Sequence, residues 1–254
     1  MTLEICVDDI AGLDAAVAGG ADRIELCAAR SLGGLTPAPS LIGAARAAPI
    51  PVHMLVRPRE GGFHYTAREA DMIAADMSAA AEARLAGVVI GASASDYTLD
   101  TNLLAHLVAH AATLGQGRES RLSLTLHRAF DLCPVLEDAL DTAIALGFDR
   151  VLTSGGEPKA IDGLATLAAL HHRADGRIVI LAGSGIDAAN APRFLDAGIQ
   201  ELHASCGTAS GSATSGAESR EHRFGFTAPG RRHTDAGRVR ALKTVLSQFD
   251  RQAA

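Results

Sequence analysis

Short apolar runs alternate with longer amphipathic segments along the whole chain. The runs are LEICV (3–7), RIELC (23–27), PVHMLVRP (51–58), GVVIGA (87–92), LSLTLHRAF (122–130), RVLTSG (150–155), RIVILAGS (177–184) and ELHASC (201–206). Runs of this length, set between helical segments, read as buried strands. The segments between them carry helical periodicity: READMIAADMSAAAEARLA (68–86), LLAHLVAHAATL (103–114), VLEDALDTAIAL (135–146), GLATLAALHHRA (163–174) and NAPRFLDAG (190–198). In the second of these, Leu103, Leu107, Val108 and Leu114 fall on one stripe, as a helix laid on a sheet requires.

Glycine punctuates the helix ends. AVAGGADRIEL and AIALGFDRVLTSG share one phrase, in which a helix is followed by Gly, an acid and Arg, and then a strand; FLDAGIQELHAS repeats it more loosely. Gly19, Gly147 and Gly198 suit helix C-termini, where a left-handed backbone costs glycine least. Strand–helix alternation predicts a parallel sheet. Eight repeats in 254 residues predict closure into a single (β/α)8 TIM barrel, one domain over 1–254. The alternative is an open doubly wound sheet, but no G-x-G-x-x-G follows the first strand. GTASGSATSGAES (207–219) predicts a flexible loop reaching to about 235, and a last helix is expected around Val239–Phe249.

In a barrel, alternate side chains face inward and chemistry gathers at the strands' C-terminal ends. With the large aliphatics directed at the helices, Glu4 and Cys6 face inward, as do Glu25 and Cys27, His53 and Arg57, Thr125 and His127, and Glu201, His203 and Ser205. For any one of these a buried structural ion pair serves as well as a ligand contact. Together, three Glu, three His and an Arg converging on one mouth predict a ligand site, because unpaired buried charges are costly. Glu4, Glu25, His127 and Glu201 are expected to line that mouth. If the barrel is an enzyme, His127 is the proton-transferring group, with Glu25 or Glu201 as partner and His203 nearby.

Arg57 and Arg59 in RPREGGFHY read as an anion clamp hinged at Gly61 and Gly62, or else as a solvated loop. Gly183 and Gly185 offer backbone N–H groups after the seventh strand and Ser205 ends the eighth, where barrels hold phosphate; Ser154, at the end of the sixth, is a further substrate-binding candidate. Arg128 has the opposite parity from His127 and is expected to brace Asp131. Cys6 and Cys27 stand at equal heights on adjacent strands, ~5 Å apart from strand spacing alone. As soft ligands they suit Cu(I); as small hydrophobes they suit a core.

Composition narrows the partners. A net charge of −6 with scattered Lys and Arg excludes a nucleic-acid face and an anionic membrane surface. No apolar run approaches the ~18 residues that span a bilayer. The acidic N-terminus lacks the basic start of a secretory signal, and four cysteines without a C-x-x-C pair predict reduced thiols in the cytoplasm.

The order of LEIC (3–6), GGADRIELCAA (19–29), GGLTP (33–37), RPREGGFHY (57–65), HRAFD (127–131), RVLTSGG (150–156), AGSGI (182–186) and ELHAS (201–205) resembles the CutC family. The resemblance spans most of 3–206 and implies a barrel, a cytoplasmic location, homo-oligomeric assembly and a role in copper homeostasis. Two departures stand out. Arg59-Glu60-Gly61-Gly62 replaces the family's Arg-Gly-Gly-Asp, and ASAS (92–95) stands where the family places an acid. The four Met are unclustered, so a second class stays open: a barrel enzyme acting on a small anionic or phosphorylated metabolite.

Overall fold

A computed structural model describes residues 1–116, 118, 121–209, 220–226 and 232–253. Eight parallel strands close into a barrel in chain order: β1 (Thr2–Val7), β2 (Arg23–Leu26), β3 (Val52–Leu55), β4 (Gly87–Ile90), β5 (Ser123–Leu126), β6 (Arg150–Thr153), β7 (Val179–Gly183) and β8 (Glu201–Ala204). The seam joins β1 to β8, with Glu4 opposite His203. Around the strands lie α1 (Ile10–Gly19), α2 (Pro39–Ala45), α3 (Ala67–Glu82), α4 (Thr101–Leu114), α5 (Leu136–Leu146), α6 (Leu164–Ala174) and α7 (Ala191–Asp196). This is a single (β/α)8 TIM barrel.

The packing separates into two shells. Leu3, Ile5, Ile24, Met54, Val88, Ile90, Leu126, Val151 and Leu202 face the helices in one large apolar layer. The inward parity gives a much smaller cluster of Cys6, Cys27, Leu55 and Val89. Leu152 and Leu181 share that inward parity, and the other buried inward positions are polar: Glu4, Arg23, Glu25, His53, Thr125 and His127.

Local chemistry fixes the element ends. Thr66 and Glu69 cap α3 reciprocally, each side chain meeting the other's backbone N–H. In the repeated acid–Arg phrase the acid has a definite job. Asp22 accepts the N–H of Leu3 at 2.7 Å, and Asp149 accepts that of Leu124 at 2.8 Å, so each ties down the strand preceding its helix. The arginine that follows enters the barrel. Gly147 and Gly198 do adopt the left-handed backbone, at φ 86° each. At the end of α1, however, Gly20 takes that conformation (φ 89°), not Gly19. Gly19 is instead a close-approach position, where a Cβ would lie 2.4 Å from Val239 Cβ. On α4 the buried face centres on Leu104, Leu107 and Ala111, with Leu103, Val108 and Leu114 at its margins.

Beyond the barrel, β9 (Gly207–Ala209) pairs antiparallel with β10 (Arg232–Thr234), so the two ends of the expected 207–235 loop form a ladder. The short α8 (Arg220–Arg223) lies between them; 210–219 and 227–231 fall outside the described residues. The last helix, α9 (Ala236–Ala253), is longer than expected and packs Val239, Leu242 and Leu246 into the shell beside α1. No helix among the described residues is long and apolar enough to cross a membrane.

Candidate functional site

The barrel interior is layered by charge. At the N-terminal end, Arg23 Nε donates to Glu4 Oε2, and its Nη2 donates to Glu201 Oε2 at 2.6 Å. Arg150 Nε reaches the same Glu201 oxygen at 3.1 Å. Burial alone would raise the Glu4 carboxyl, but Arg23, His203 and His53 together outweigh it and hold Glu4 ionised far below the usual carboxylate range. Two carboxylates and two guanidinium groups thus form a floor. Glu4 is fully buried and Glu201 occupies the first position of β8, so neither lines the mouth. That corrects the expectation for both, and it removes Glu201 as an acid/base partner: its carboxylate is committed to two arginines. Arg23 and Arg150 were the residues the parity reading missed.

Above the floor sits His203, whose Nδ1–H donates to Glu4 Oε1 at 2.8 Å while Nε2 lies 3.7 Å from Glu25 Oε2. Burial opposes charge on this imidazole, but Glu25, the Cys6 hydrogen bond and Glu4 outweigh it and push its pKa well above the ordinary value. Burial raises the Glu25 carboxyl, with His203 opposing. Glu25 and His203 are therefore a coupled pair at the base of an open cavity. Cys6 Sγ lies 3.5 Å from Cys27 Sγ, closer than strand spacing alone suggested, and Cys27 Sγ also contacts Val7 O at 3.4 Å. The Cys27 contact, then burial and Glu25, keep the Cys6 thiol protonated well past the usual thiol range. Donor atoms of Cys6, Glu25 and His203 lie within 4.8 Å of one another.

The cavity, about 350 Å³, opens at the strands' C-terminal ends. Glu25, Arg30, Arg57, His127, Arg128 and His203 are the charged and imidazole groups in its lining, with Cys6 at its base and Leu55 and Phe63 among the apolar walls. His127 Nδ1 accepts the N–H of Ala129 at 3.1 Å, which leaves the proton of a neutral ring on Nε2. Burial, then the charge of Arg57, pushes its pKa down to about 3. Nε2 is buried with no partner among the described residues. At neutral pH His127 is thus a hydrogen-bond donor and a poor base, which corrects the proton-transfer role expected of it. Gly91 makes room for the ring: a Cβ there would stand 2.5 Å from Nδ1.

The clamp residues divide. Arg57 borders the cavity, but its guanidinium donates to Leu32 O, Gly34 O and Gly61 O, all at 2.9 Å, and lies over the Phe63 ring. It fastens two loops together rather than waiting for an anion. Arg59 points away, pairing with Glu69 and donating to Gly62 O and His64 O, and is absent from the lining. Ser154 is buried outside the cavity, where its hydroxyl joins Asp131 and Arg128. Arg128 Nε does brace Asp131, at 2.7 Å. Gly185 and Ser205 border the cavity; Gly183 does not, and a Cβ on it would strike Leu152 Cδ1 at 2.6 Å. Arg30 is new to the site, drawn in by Cys6 O and Thr234 Oγ1 from outside the barrel.

Residues 1–208 match the CutC family model. The chain belongs to the CutC family. A CutC protein of Agrobacterium fabrum is 49% identical over 255 residues, covering 100% of this chain and 97% of that protein. One from Caulobacter vibrioides is 45% identical over 250 residues, covering 96% and 97%. Among solved structures, CutC from Streptococcus agalactiae, whose given name ties it to copper homeostasis, superposes with TM-score 0.74 at 28% identity over 81% of this chain and 98% of that one. KGPDC from Streptococcus mutans, at 10% identity and TM-score 0.61 over 98% of both chains, shares the fold alone. The CutC match ends at 208, close to where the barrel ends, so the β9–β10 ladder and α9 lie at or beyond its margin.

Proposed function

We propose that this CutC family member binds Cu(I) at the open end of its barrel, through Cys6 and Cys27 with His203 Nε2, and with Glu25 beside them. The observation that carries this reading is the convergence of Cys6, Glu25 and His203 donor atoms within 4.8 Å, with the second thiol 3.5 Å from the first. Thiolate and imidazole are suitable ligands for Cu(I). Glu4, accepting from Nδ1, orients the His203 ring and leaves Nε2 for the metal, as carboxylates do behind many ligating histidines. The copper-homeostasis name of the Streptococcus agalactiae relative supports the same reading. A cytoplasmic location and homo-oligomeric assembly accompany it, checked by cell fractionation and sedimentation.

Anaerobic Cu(I) titration against a competing chelator tests the centre. Wild type should compete, and Cys27→Ser should bind at least about tenfold more weakly, about 1.4 kcal/mol. Unchanged affinity in the variant reduces the cysteines to interior packing. Because the Cys6 thiol and His203 shed protons when a metal binds, affinity should climb steadily as pH rises from 6 to 9.

A second reading has its own observation, the unpartnered His127 Nε2–H beside a 350 Å³ cavity. A small carbonyl or carboxylate ligand would accept that hydrogen bond, with the Glu25–His203 pair positioned to move a proton. Small carboxylates should then raise the melting temperature of wild type and not of His127→Phe.

A further inference from the structure

A second cavity, about 520 Å³, adjoins the first, and the two share Gly185, Ile186 and Ser205 in their walls. It is bounded by the loop after β7, the exit from β8, and Arg232 and Arg238, which come from β10 and the start of α9. The two arginines converge on one acceptor. Arg232 donates to Gly207 O through Nε at 3.0 Å and Nη2 at 2.7 Å, and Arg238 Nη1 donates to the same oxygen at 3.0 Å. Neither has an ion-pair partner among the described residues. The one carboxylate in the wall, Asp187, is turned to the N–H groups of Ala189 and Asn190. Two like charges held on one carbonyl repel each other, and an anion between them would relieve that.

The backbone adds donors of its own. Ser184 and Gly185 both adopt positive φ, 88° and 75°. The N–H groups of Gly185 and Ile186 donate to no group among the described residues. Guanidinium pairs and unpartnered backbone N–H groups are the usual components of a phosphate site, and the loops after strands seven and eight are its usual place in this architecture.

We propose that Arg232, Arg238 and the N–H groups of Gly185 and Ile186 form a subsite for the phosphate of a small phosphate monoester, whose organic part extends through the shared wall into the first cavity. The subsite does not depend on copper, and its test is run metal-free with Cys6 and Cys27 intact. The wild-type chain is titrated with inorganic phosphate and with glycerol phosphate, against chloride at matched ionic strength. Both phosphates should raise the melting temperature saturably, glycerol phosphate with at least the affinity of inorganic phosphate. The Arg232→Ala, Arg238→Ala double variant should lose at least tenfold in affinity, and the Lys, Lys variant should keep part of it. In wild type, the amide resonances of Gly185 and Ile186 should shift on titration, a readout that does not need a folded variant. If neither phosphate stabilises the wild type, if those amides stay still, or if the double variant binds as wild type does, the subsite is wrong. Preference for inorganic phosphate over the monoester overturns the assigned substrate class.

Discussion

At the scale of single residues, His127 shows what a side chain's neighbours do to its chemistry. An imidazole at a strand end invites a base assignment, because its ordinary pKa is near neutrality. Burial and Arg57 remove that capacity, and the Ala129 N–H fixes the tautomer. The ¹⁵N spectrum of His127 at pH 6 should therefore show a neutral ring protonated at Nε2, with no titration above pH 4. A midpoint near 6.5, or a proton on Nδ1, would overturn this. Period-two parity was enough to place Glu4, Cys6, Glu25, Cys27, His53, Thr125, His127 and His203 inside the barrel, because the face a side chain takes is a local property of a strand. Depth and partnership were not legible. Glu201 and His203 share a strand and a face, yet one belongs to the floor and the other to the cavity, and the arginine that makes the difference is 178 positions away in the chain.

At the scale of elements, the repeated acid–Arg phrase explains how the floor is assembled. In GADRIEL and GFDRVL the acid ties down the strand before the helix, and the arginine, first residue of the next strand, turns inward. The phrase is visible as a repeat and each arginine opens its strand-like run, but the first position of a strand looks like the end of a turn, so its inward face is not legible. Their inward parity matches that of Glu25 and Leu152. Removing Arg23 leaves Glu4 with His203 alone to offset its charge in a dry interior, and losing one partner of a buried pair costs about 3–5 kcal/mol. Arg23→Met should lose stability on that scale in chemical denaturation, since Glu4 stays buried while Glu201 keeps Arg150. A loss under about 1 kcal/mol would mean that solvent reaches the floor and that Glu4 is not held by Arg23.

Across the whole molecule, the polar barrel interior makes stability a function of pH, and the sign can be worked through group by group. His53 and His127 are buried neutral, with pKa values pushed down to about 3, in each case chiefly by burial. Below pH 6.5 the unfolded chain protonates both while the folded chain does not, so each favours unfolding as pH falls. Glu25 acts in the other sense. Its raised carboxyl lets the folded chain take up a proton before the unfolded one does, which offsets one of those two protons at most. His203 is protonated in both states below 6.5 and contributes no slope there. As pH falls from 6.5 towards 4.5 the balance thus grows to about one proton in favour of the unfolded chain, and stability should fall with a slope approaching about 1.4 kcal/mol per pH unit. Below the ordinary Glu range Glu4 joins in, because its depressed carboxyl loses the Arg23 attraction when protonated. Above neutrality the sign reverses for His203: its raised pKa means that its stabilisation is present below 6.5 and is lost as pH climbs through the folded value. Denaturant titrations from pH 4.5 to 9 should find a maximum near neutral pH. The acid limb should flatten in a His53→Gln, His127→Gln double variant, and an acid limb of the same slope in that variant would place the linkage elsewhere in the chain.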